Sequence, residues 1–258
     1  MSSLSLRDIG EMIAAARRDG RADLRIDADD IAGFDEGELV RDVAVEFYAG
    51  DIVGFKIGAT SREAQRIVGC DGPFYGPVFA EGRLAPGAPL ALRPGILGLE
   101  CEIAFTLGSD LPERASPYSA DDVADAVAGC HPAFEIVARR TRGDGFPTGA
   151  MCVADMALNH SFLLGEAAEG WRDADLAATE VRAFVDGEET NLGWGRNALD
   201  GPLNALAWLA SRRSQEGLGL AAGQVVLTGT CLGVVPLKAG TAVNGDFGFL
   251  GELTLAIT

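Results

Sequence analysis

The chain has 258 residues, of which 48% are hydrophobic and 23% charged, and its 38 acidic residues against 21 basic ones give a net charge of −17. A chain of this length buries roughly three quarters of its unfolded surface on folding, so a sizeable core is available, and the ordinary composition excludes a disordered chain. The negative charge repels phosphate backbones and anionic lipid surfaces, which excludes nucleic acid and membranes as partners.

The N-terminal region and the cysteines indicate an intracellular protein. Charged residues interrupt the first stretch, which therefore lacks the apolar core of a signal peptide, and no run elsewhere approaches the ~20 apolar residues of a spanning helix. The five cysteines never form a C-x-x-C pair, and there are only 2 histidines. This pattern argues against a disulfide framework, a zinc knuckle and a histidine-rich metal site. We expect a cytoplasmic protein with buried thiols.

Helical periodicity dominates the beginning of the chain. Apolar residues recur at helical spacing in 9–16 and again in 39–47, which predicts two amphipathic helices. From residue 51 onward, short β-rich runs alternate with turn signals. These runs are DIVGFKIG, PVFA, PLALR, GLECEIAF, AFEIVA, SFLLG, VRAFVDG, QVVLTG and GELTLAIT. We therefore divide the chain into a helical N-terminal segment, residues 1–50, and a catalytic β-rich domain, residues 51–258.

Three helices interrupt the predicted strands. Thr60 with Glu63, and Ser119 with Asp122, have the spacing of capping boxes, and the third helix is LNALAWLASRRS. Many strands with segregated helices and no βαβ alternation indicate an α+β domain built on antiparallel or mixed sheets.

Common catalytic motifs do not accompany these elements. The sequence contains no G-x-S-x-G elbow, no Walker loop and no H-E-x-x-H. The run GLGLAAG (217–223) lacks the dinucleotide-binding spacing and precedes a strand instead of following one. Serine hydrolases, P-loop proteins and Rossmann dehydrogenases are therefore disfavoured.

The run GLECEIAF (98–105) carries two carboxylates in an otherwise apolar strand. Because side chains alternate along a strand, Glu100 and Glu102 share one face, with Cα atoms ~6.6 Å apart, and both can converge on one ion. The alternative interpretation is a half-solvated strand whose glutamates lie in water.

A third glutamate, Glu135, stands in a second apolar run, HPAFEIVA. Burying a carboxylate is unfavourable unless it is protonated, paired or bound to a metal, so the two strands require a common partner. Three carboxylate ligands with no Cys or His suit Mg²⁺ or Mn²⁺ and disfavour zinc. We predict a divalent-metal site at Glu100, Glu102 and Glu135.

Lys56 is the only charged residue in the Gly-flanked run GFKIGAT. Three glutamates and one divalent cation sum to one negative charge, so an anionic substrate needs a further positive group, and Lys56 is the candidate. The alternative is a lysine that snorkels from a strand end.

Three further residues are weaker candidates for substrate binding. Arg140 follows Glu135 by five positions and can bind a carboxylate, although the run ARRTR is also typical of a basic strand edge exposed to solvent. Thr230, in the Gly-rich strand end LTGTCLG, can hold an anion or belong to a plain turn. His160 can be a general base or a structural histidine.

The order of the motifs is similar to that of a known family. The matching runs are GFKIGATS, FYGPVF, ECEIAF, HPAFEIVARR, VADMALNHSFLLG, GPLNALAWLA, QVVLTGT and DFGFLGELTLAIT. Together they cover nearly the whole chain and resemble the 2-keto-4-pentenoate hydratase group of the fumarylacetoacetate hydrolase superfamily. The E-x-E with a later Glu is the most specific part.

The resemblance implies a mixed β-roll with a helical N-terminal segment, a Mg²⁺ or Mn²⁺ site and homo-oligomers. By matching motif, Glu100, Glu102 and Glu135 correspond to the family's metal ligands, and Lys56 to its active-site lysine. It also implies a small anionic 2-oxo or 2-hydroxy acid substrate from aromatic-compound catabolism, with the metal as a Lewis acid that stabilises the dienolate before water adds. We predict a metal-dependent lyase that hydrates 2-hydroxy-2,4-dienoates, of the 2-oxopent-4-enoate type, to 4-hydroxy-2-oxo acids.

The chain departs from the family pattern near these ligands. Phe74 replaces an acidic residue in PFYG, Ala138 and Arg139 replace Asp and Ser in EIVARR, and Met156 replaces Asn in ADM. The metal ligands are retained, and the changes fall on positions that serve proton transfer and substrate recognition.

The superfamily supports three reactions, and fold and ligands alone do not choose among them. They are hydration, decarboxylation of a 4-oxalocrotonate-type diacid, and C–C hydrolysis of an acylpyruvate such as fumarylacetoacetate. A decarboxylase needs a further cation, for which Arg139 or Arg140 is available, and a C–C hydrolase needs a base such as a histidine with an acidic partner. A non-catalytic partner subunit of an active homologue is the remaining alternative, because several polar residues are replaced.

Overall fold

Two helices begin the structure, a computed structural model that describes residues 4–258. Helix α1 spans Leu6–Asp19 and begins at a capping box in which Ser5 and Asp8 each accept the other's backbone N–H. Helix α2 spans Phe34–Tyr48. Both have a buried face, as the apolar spacing predicts, so the two N-terminal helices are confirmed.

Four further helices and ten strands follow in the described part of the chain. The helices are α3 (Arg62–Val68), α4 (Ala120–Ala126), α5 (Gly149–Ala154) and α6 (Pro202–Gln215). The strands are β1 (Ile52–Gly58), β2 (Phe74–Phe79), β3 (Ile96–Leu107), β4 (Val127–Ala138), β5 (Asn159–Leu164), β6 (Glu180–Val185), β7 (Glu188–Trp194), β8 (Val225–Val235), β9 (Ala242–Asp246) and β10 (Glu252–Ala256). Among residues 4–258, no helix combines the length and the apolar composition needed to cross a membrane.

The strands form two sheets. The larger has the order β2-β1-β8-β3-β4-β5, in which β1 and β8 are parallel and the other neighbours antiparallel. The smaller, β10-β9-β6-β7, is antiparallel throughout. This mixed arrangement with segregated helices confirms the predicted α+β roll.

The main core lies between the two sheets. One buried cluster joins Phe134 on β4 to Val181 on β6 and Val243 on β9. Phe134 also packs against Phe247, with ring centroids 6.2 Å apart. The core thereby holds β3 and β4, the neighbouring interior strands of the larger sheet on which the glutamates lie.

The N-terminal helices pack directly on the β-rich part. Ile13 of α1 and Val40 of α2 share a buried cluster with Phe79 of β2 and Met151 of α5. Helix α2 ends and β1 begins on either side of residue 50. The division into two domains at that point stays a prediction.

Several local predictions are wrong or incomplete. Ser61, not Thr60, caps α3, because its hydroxyl accepts the N–H of Ala64 at 3.1 Å. The run PLALR forms only an isolated bridge, between Leu90 and Ile257. Helix α5 and strands β7 and β9 were not predicted, because they are short and lack a clear apolar period. The capping box of α4 is confirmed.

Candidate active site

The three predicted glutamates converge in the structure. Glu100 and Glu102 lie on β3, Glu135 lies on β4, and Glu100 stands directly opposite Glu135 in the antiparallel register. One carboxylate oxygen from each residue lies within 4.8 Å of the others. Strand alternation places both β3 glutamates on one face, and the register of β4 adds the third.

Neighbouring backbone and side-chain groups orient two of these carboxylates. Glu102 and Glu135 are fully buried. The backbone N–H of Gly229 donates to Oε2 of Glu102 at 2.8 Å, and Nδ2 of Asn159 donates to Oε1 of Glu135 at 2.9 Å. Oε1 of Glu102 has no hydrogen-bond partner among residues 4–258. Such a buried, unpartnered acceptor requires a positive or donor group that protein side chains do not supply here.

Lys56 supplies one positive charge to the cluster. It lies on β1, is 3% exposed, and its Nζ is 3.1 Å from Oε2 of Glu135. Burial acts to lower the pKa of Lys56, but the carboxylates, Glu135 foremost, raise it above its ordinary value. The side chain is therefore an ammonium group held against the carboxylates.

The positive charge around the three carboxylates is too small to keep all of them ionised. Burial raises the pKa of Glu100 to about 7, although Lys56 acts in the opposite direction. Burial, followed by the charges of Glu135 and Glu100, raises the pKa of Glu102 well above its ordinary value. The cluster therefore binds protons unless a cation takes their place.

The residues present fit a divalent cation. Three carboxylates against the single ammonium of Lys56 leave two negative charges, which one divalent cation neutralises. The donors are all oxygen atoms, the preferred ligands of hard cations such as Mg²⁺. The unpartnered oxygen of Glu102 adds a free acceptor at the same point.

A cavity of about 560 Å³ opens beside the cluster. Lys56, Glu100 and Thr230 line it, so the structure brings these three predicted residues together with Glu102 and Glu135. The Thr230 hydroxyl donates to the carbonyl of Gly233 at 2.8 Å, within the part of β8 where its register to β3 shifts. The cavity lies in the size range of small-molecule sites, about 300–1,000 Å³.

Arg140 and His160 lie away from this cavity. Both line a separate pocket of about 190 Å³. The buried Arg140 donates through Nη1 to Oδ1 of Asp155 at 3.2 Å and through Nη2 to the carbonyl of Asn159 at 2.5 Å. Arg140 thus contacts Asn159, which in turn binds Glu135. The structure brings neither residue to the carboxylate cluster. Arg140 lies beyond the end of β4 at Ala138, and His160 on β5 alternates with Asn159, which faces Glu135.

The positions at which the chain departs from the family pattern also differ in whether they line the cavity. Phe74 is buried and lines the cavity. Arg139 lines the separate pocket, where its Nη1 donates to the carbonyl of Gly145 at 2.9 Å. Met156, also buried, packs with the N-terminal helices. Of these three replacements, only Phe74 changes the wall of the cavity.

The sequence analysis missed two residues that orient the glutamates. Asn159 is a buried polar residue in the apolar run MALNHSFLL, a signal of the same kind as Glu135. Gly229 has φ +106°, and a Cβ there would lie 2.4 Å from Oγ1 of Thr60. A side chain at this position would therefore displace the backbone N–H that binds Glu102.

The chain is similar to known proteins over most of its length. The family model described as fumarylacetoacetate (FAA) hydrolase C-terminal matches residues 78–258. A 2-keto-4-pentenoate hydratase of Burkholderia vietnamiensis is 37% identical over 80% of this chain and 78% of its own. A 2-keto-4-pentenoate hydratase 1 of Dechloromonas aromatica is 32% identical over 98% of this chain and 97% of its own.

A solved structure shares the whole fold. The 4-oxalocrotonate decarboxylase from Pseudomonas putida G7, complexed with magnesium and adipate, superposes with a TM-score of 0.88. It is 23% identical to this chain, with coverage of 98% of this chain and 97% of the decarboxylase. By the family match and the identity to the hydratases, the chain belongs to the fumarylacetoacetate hydrolase superfamily, in its 2-keto-4-pentenoate hydratase group, and is an enzyme of the lyase class.

Proposed function

We propose that the protein hydrates a 2-hydroxy-2,4-dienoate to a 4-hydroxy-2-oxo acid in the catabolism of aromatic compounds. The proposal includes Mg²⁺ or Mn²⁺ held by Glu100, Glu102 and Glu135. The observation that carries it is the buried carboxylate cluster with Lys56 at the side of a substrate-sized cavity, in a chain similar to hydratases over most of its length. Cytoplasmic location and homo-oligomers stay predictions.

The chain's own residues prepare this site for an anionic substrate. A divalent cation held by the three glutamates would act as a Lewis acid on the oxygens at the carboxylate end of the substrate. Asn159 and Gly229 hold Glu135 and Glu102 in place, so little reorganisation accompanies binding. Lys56 places an ammonium group where negative charge develops on the substrate, which favours the charged transition state.

The reaction balances without a further co-reactant. The enol proton leaves oxygen and C5 gains a proton, so the 2-hydroxy-2,4-dienoate becomes a conjugated 2-oxo-3-enoate. Water then adds its hydroxyl at C4 and its proton at C3. Lys56 Nζ, which is buried beside Glu135, is an ammonium group that would stabilise the negative charge on the substrate oxygen while this proton moves.

The residues that line the cavity disfavour the two competing reactions, decarboxylation and C–C hydrolysis. Lys56 is the only cation among residues 4–258 that lines the cavity, and it already faces Glu135. Arg139 and Arg140, the cations considered for the second carboxylate of a diacid, line the separate pocket. Neither His131 nor His160 lines the cavity, so no described histidine is placed to activate water for C–C cleavage.

A non-catalytic partner subunit is also disfavoured. The complete ligand set, the lysine and the orienting groups are all assembled around the cavity. Loss of catalysis removes the selection that keeps such unfavourable buried charges in place.

Purified protein with Mg²⁺ tests the reaction on a panel of three substrates: a 2-hydroxy-2,4-dienoate, an oxalocrotonate and an acylpyruvate. We expect conversion of the dienoate to a 4-hydroxy-2-oxo acid, followed by mass spectrometry with ¹⁸O-labelled water. Glu102→Gln should lose both metal binding and turnover, whereas Glu252→Gln, on an exposed strand end, should retain both. Carbon dioxide release or C–C cleavage without hydration contradicts the proposal.

A further inference from the structure

The separate pocket of about 190 Å³ is lined mainly by cationic residues. It lies where the ends of the two N-terminal helices meet the β-rich part of the chain. Its charged or titratable lining residues are Arg17, Arg21, Arg93, Arg139, Arg140, His160, Tyr48 and Glu81. The whole chain has only 21 basic residues against 38 acidic ones. Five arginines around one small pocket are therefore a local reversal of the charge of the protein.

Two of these arginines lack an acidic partner. Arg21 and Arg140 each pair with an aspartate, at 2.9 and 3.2 Å. Arg17 and Arg93 form no ion pair with the carboxylates of residues 4–258, and Nε of Arg17 is buried without a hydrogen-bond partner. Five arginines against those two aspartates and Glu81 leave two positive charges at the pocket.

The excess positive charge also affects the ionisation of the pocket residues. Burial, followed by the charge of Arg140, lowers the pKa of Arg17 to about 10. Burial and three arginines, Arg140 first among them, lower the pKa of His160 to about 4. In both cases neighbouring guanidinium groups act in the same direction as burial. A bound anion would relieve this repulsion.

A phosphate group matches the pocket in charge and in size. Its two negative charges would neutralise the two positive ones, and guanidinium groups bind phosphate oxygens in a forked geometry. The pocket is smaller than the range of about 300–1,000 Å³ that is usual for larger organic ligands. It therefore has room for a phosphate group with at most a small substituent.

Asn159 connects this pocket to the carboxylate cluster. Its backbone carbonyl accepts hydrogen bonds from Arg17 and Arg140, and its Nδ2 donates to Oε1 of Glu135 at 2.9 Å. The three residues before it, 156–158, all have left-handed backbone conformations, with φ from 52° to 62°. This conformation is unfavourable for residues other than glycine, so the contacts around it must hold the segment in place.

We propose that the pocket binds a phosphate group and that this binding tightens the Mg²⁺ site through Asn159; the second part rests on the metal site of the proposed function. The phosphate neutralises the repulsion between Arg17 and Arg140, which both donate to one carbonyl. That carbonyl is then held more firmly, and the Asn159 side chain keeps Glu135 in position for the cation. Because such coupling is reciprocal, Mg²⁺ tightens phosphate binding by the same factor.

Calorimetric titration of the whole chain tests phosphate binding. Inorganic phosphate and glycerol 3-phosphate are titrated at constant ionic strength, first without Mg²⁺, which excludes binding to the metal itself. We expect a Kd of at most about 1 mM, as two or three charge-assisted hydrogen bonds provide. The tighter of the two ligands shows whether the phosphate is a free ion or part of a metabolite. Succinate, a dianion without phosphate oxygens, should bind at least about tenfold more weakly.

A matched pair of variants locates the bound phosphate. Arg93→Gln should raise the phosphate Kd at least about tenfold, because the pocket loses a cation that no carboxylate neutralises. Arg182→Gln is the control, since Arg182 lies on β6 and does not line the pocket. Both variants lose one positive charge, so a difference between them cannot come from the net charge.

The coupling is measured as the Kd of Mg²⁺ with and without saturating phosphate. In the wild-type protein we expect phosphate to lower this Kd at least about fivefold. Asn159→Ala should still bind phosphate, because its backbone carbonyl remains, but its Kd for Mg²⁺ should no longer respond. Pairing of Mg²⁺ with phosphate in solution is the same for both proteins and cancels in the comparison.

The possible outcomes separate the proposals. A phosphate Kd far above about 1 mM, equal losses in Arg93→Gln and Arg182→Gln, or tighter binding of succinate overturns the phosphate site. A Kd for Mg²⁺ that ignores phosphate, or responds equally in Asn159→Ala, overturns the coupling. Failure to hydrate any dienoate, while phosphate binding still depends on Arg93, overturns the hydratase proposal alone.

Discussion

Replacing Glu102 by Gln is expected to stabilise the metal-free protein and to abolish its stabilisation by Mg²⁺. The carboxylate is fully buried, accepts one hydrogen bond from Gly229 and keeps one oxygen unpartnered among the described residues. Glutamine has nearly the same shape and can keep the bond from Gly229. It removes one negative charge from a cluster with too few positive ones.

The raised pKa of Glu102 sets the direction of this effect, and the pH interval above 4.5 sets its upper limit. Burial, then Glu135 and Glu100, raise this pKa well above its ordinary value of 4.5. Above pH 4.5 the unfolded chain releases the proton that the native state retains, so the native state loses stability as the pH rises. At about 1.4 kcal/mol per pH unit above 4.5, the loss at pH 7 is at most about 3.5 kcal/mol, and Glu102→Gln removes it. A chain of this size gains roughly 2–4 °C in Tm per kcal/mol.

Urea unfolding in chelator and in Mg²⁺ measures both effects. At 100 times its Kd, Mg²⁺ should stabilise the wild-type protein by about 3 kcal/mol and leave Glu102→Gln unchanged. In chelator, the advantage of the variant should shrink to below about 1 kcal/mol at pH 5. Glu252→Gln, at an exposed strand end, is the control and should follow the wild type. A Glu102→Gln protein that is less stable in chelator yet gains as much from Mg²⁺ as the wild type would refute the metal site.

Three other changes have separate expected results. Lys56→Met should lower kcat/KM by about 10²–10³ in steady-state assays, because the ammonium no longer stabilises developing charge, while calorimetry still detects Mg²⁺ binding; loss of metal binding instead would make Lys56 structural. Asn159→Ala should weaken Mg²⁺ binding about 10–100-fold, because Oε1 of Glu135 loses its donor; an unchanged Kd would exclude this positioning role. Burial, with Arg140 and Arg17, lowers the pKa of His160 to about 4 from 6.5, so its stabilising contribution is present above pH 6.5 and is lost as the pH falls toward 4. His160→Gln should then be about 2 kcal/mol less sensitive to a change from pH 7 to pH 5 in urea unfolding, and equal pH dependence in both proteins would contradict this.

The sequence predicted the convergence of the carboxylates well because the signal is local. Two glutamates at alternate positions of an apolar strand must share a face, whatever the rest of the fold. A third glutamate in another apolar run is unfavourable without a positive partner, which made Glu135 a candidate before its position was known. Lys56 stood out for the same reason, as an isolated charge in an apolar run.

Substrate-binding candidates were harder to place from the sequence. Arg140 follows β4 and Thr230 lies within β8, yet only Thr230 lines the cavity. Arg140 is instead paired with Asp155. The amino-acid type shows that a residue can bind an anion, but the packing of its strand decides which groups the side chain faces.

The sequence by itself determined the fold class, the two N-terminal helices and the carboxylates that need a positive partner when buried. Periodicity and buried charge act within one strand or helix, so they can be read from the sequence. Only the tertiary structure decided which groups meet. The antiparallel register places Glu100 opposite Glu135, the parallel pairing of β1 with β8 brings Lys56 to the cluster, and β5 adds Asn159. These contacts join residues far apart in the chain, and pairing of the strands, with burial of the shared core, is the physical cause that selects them.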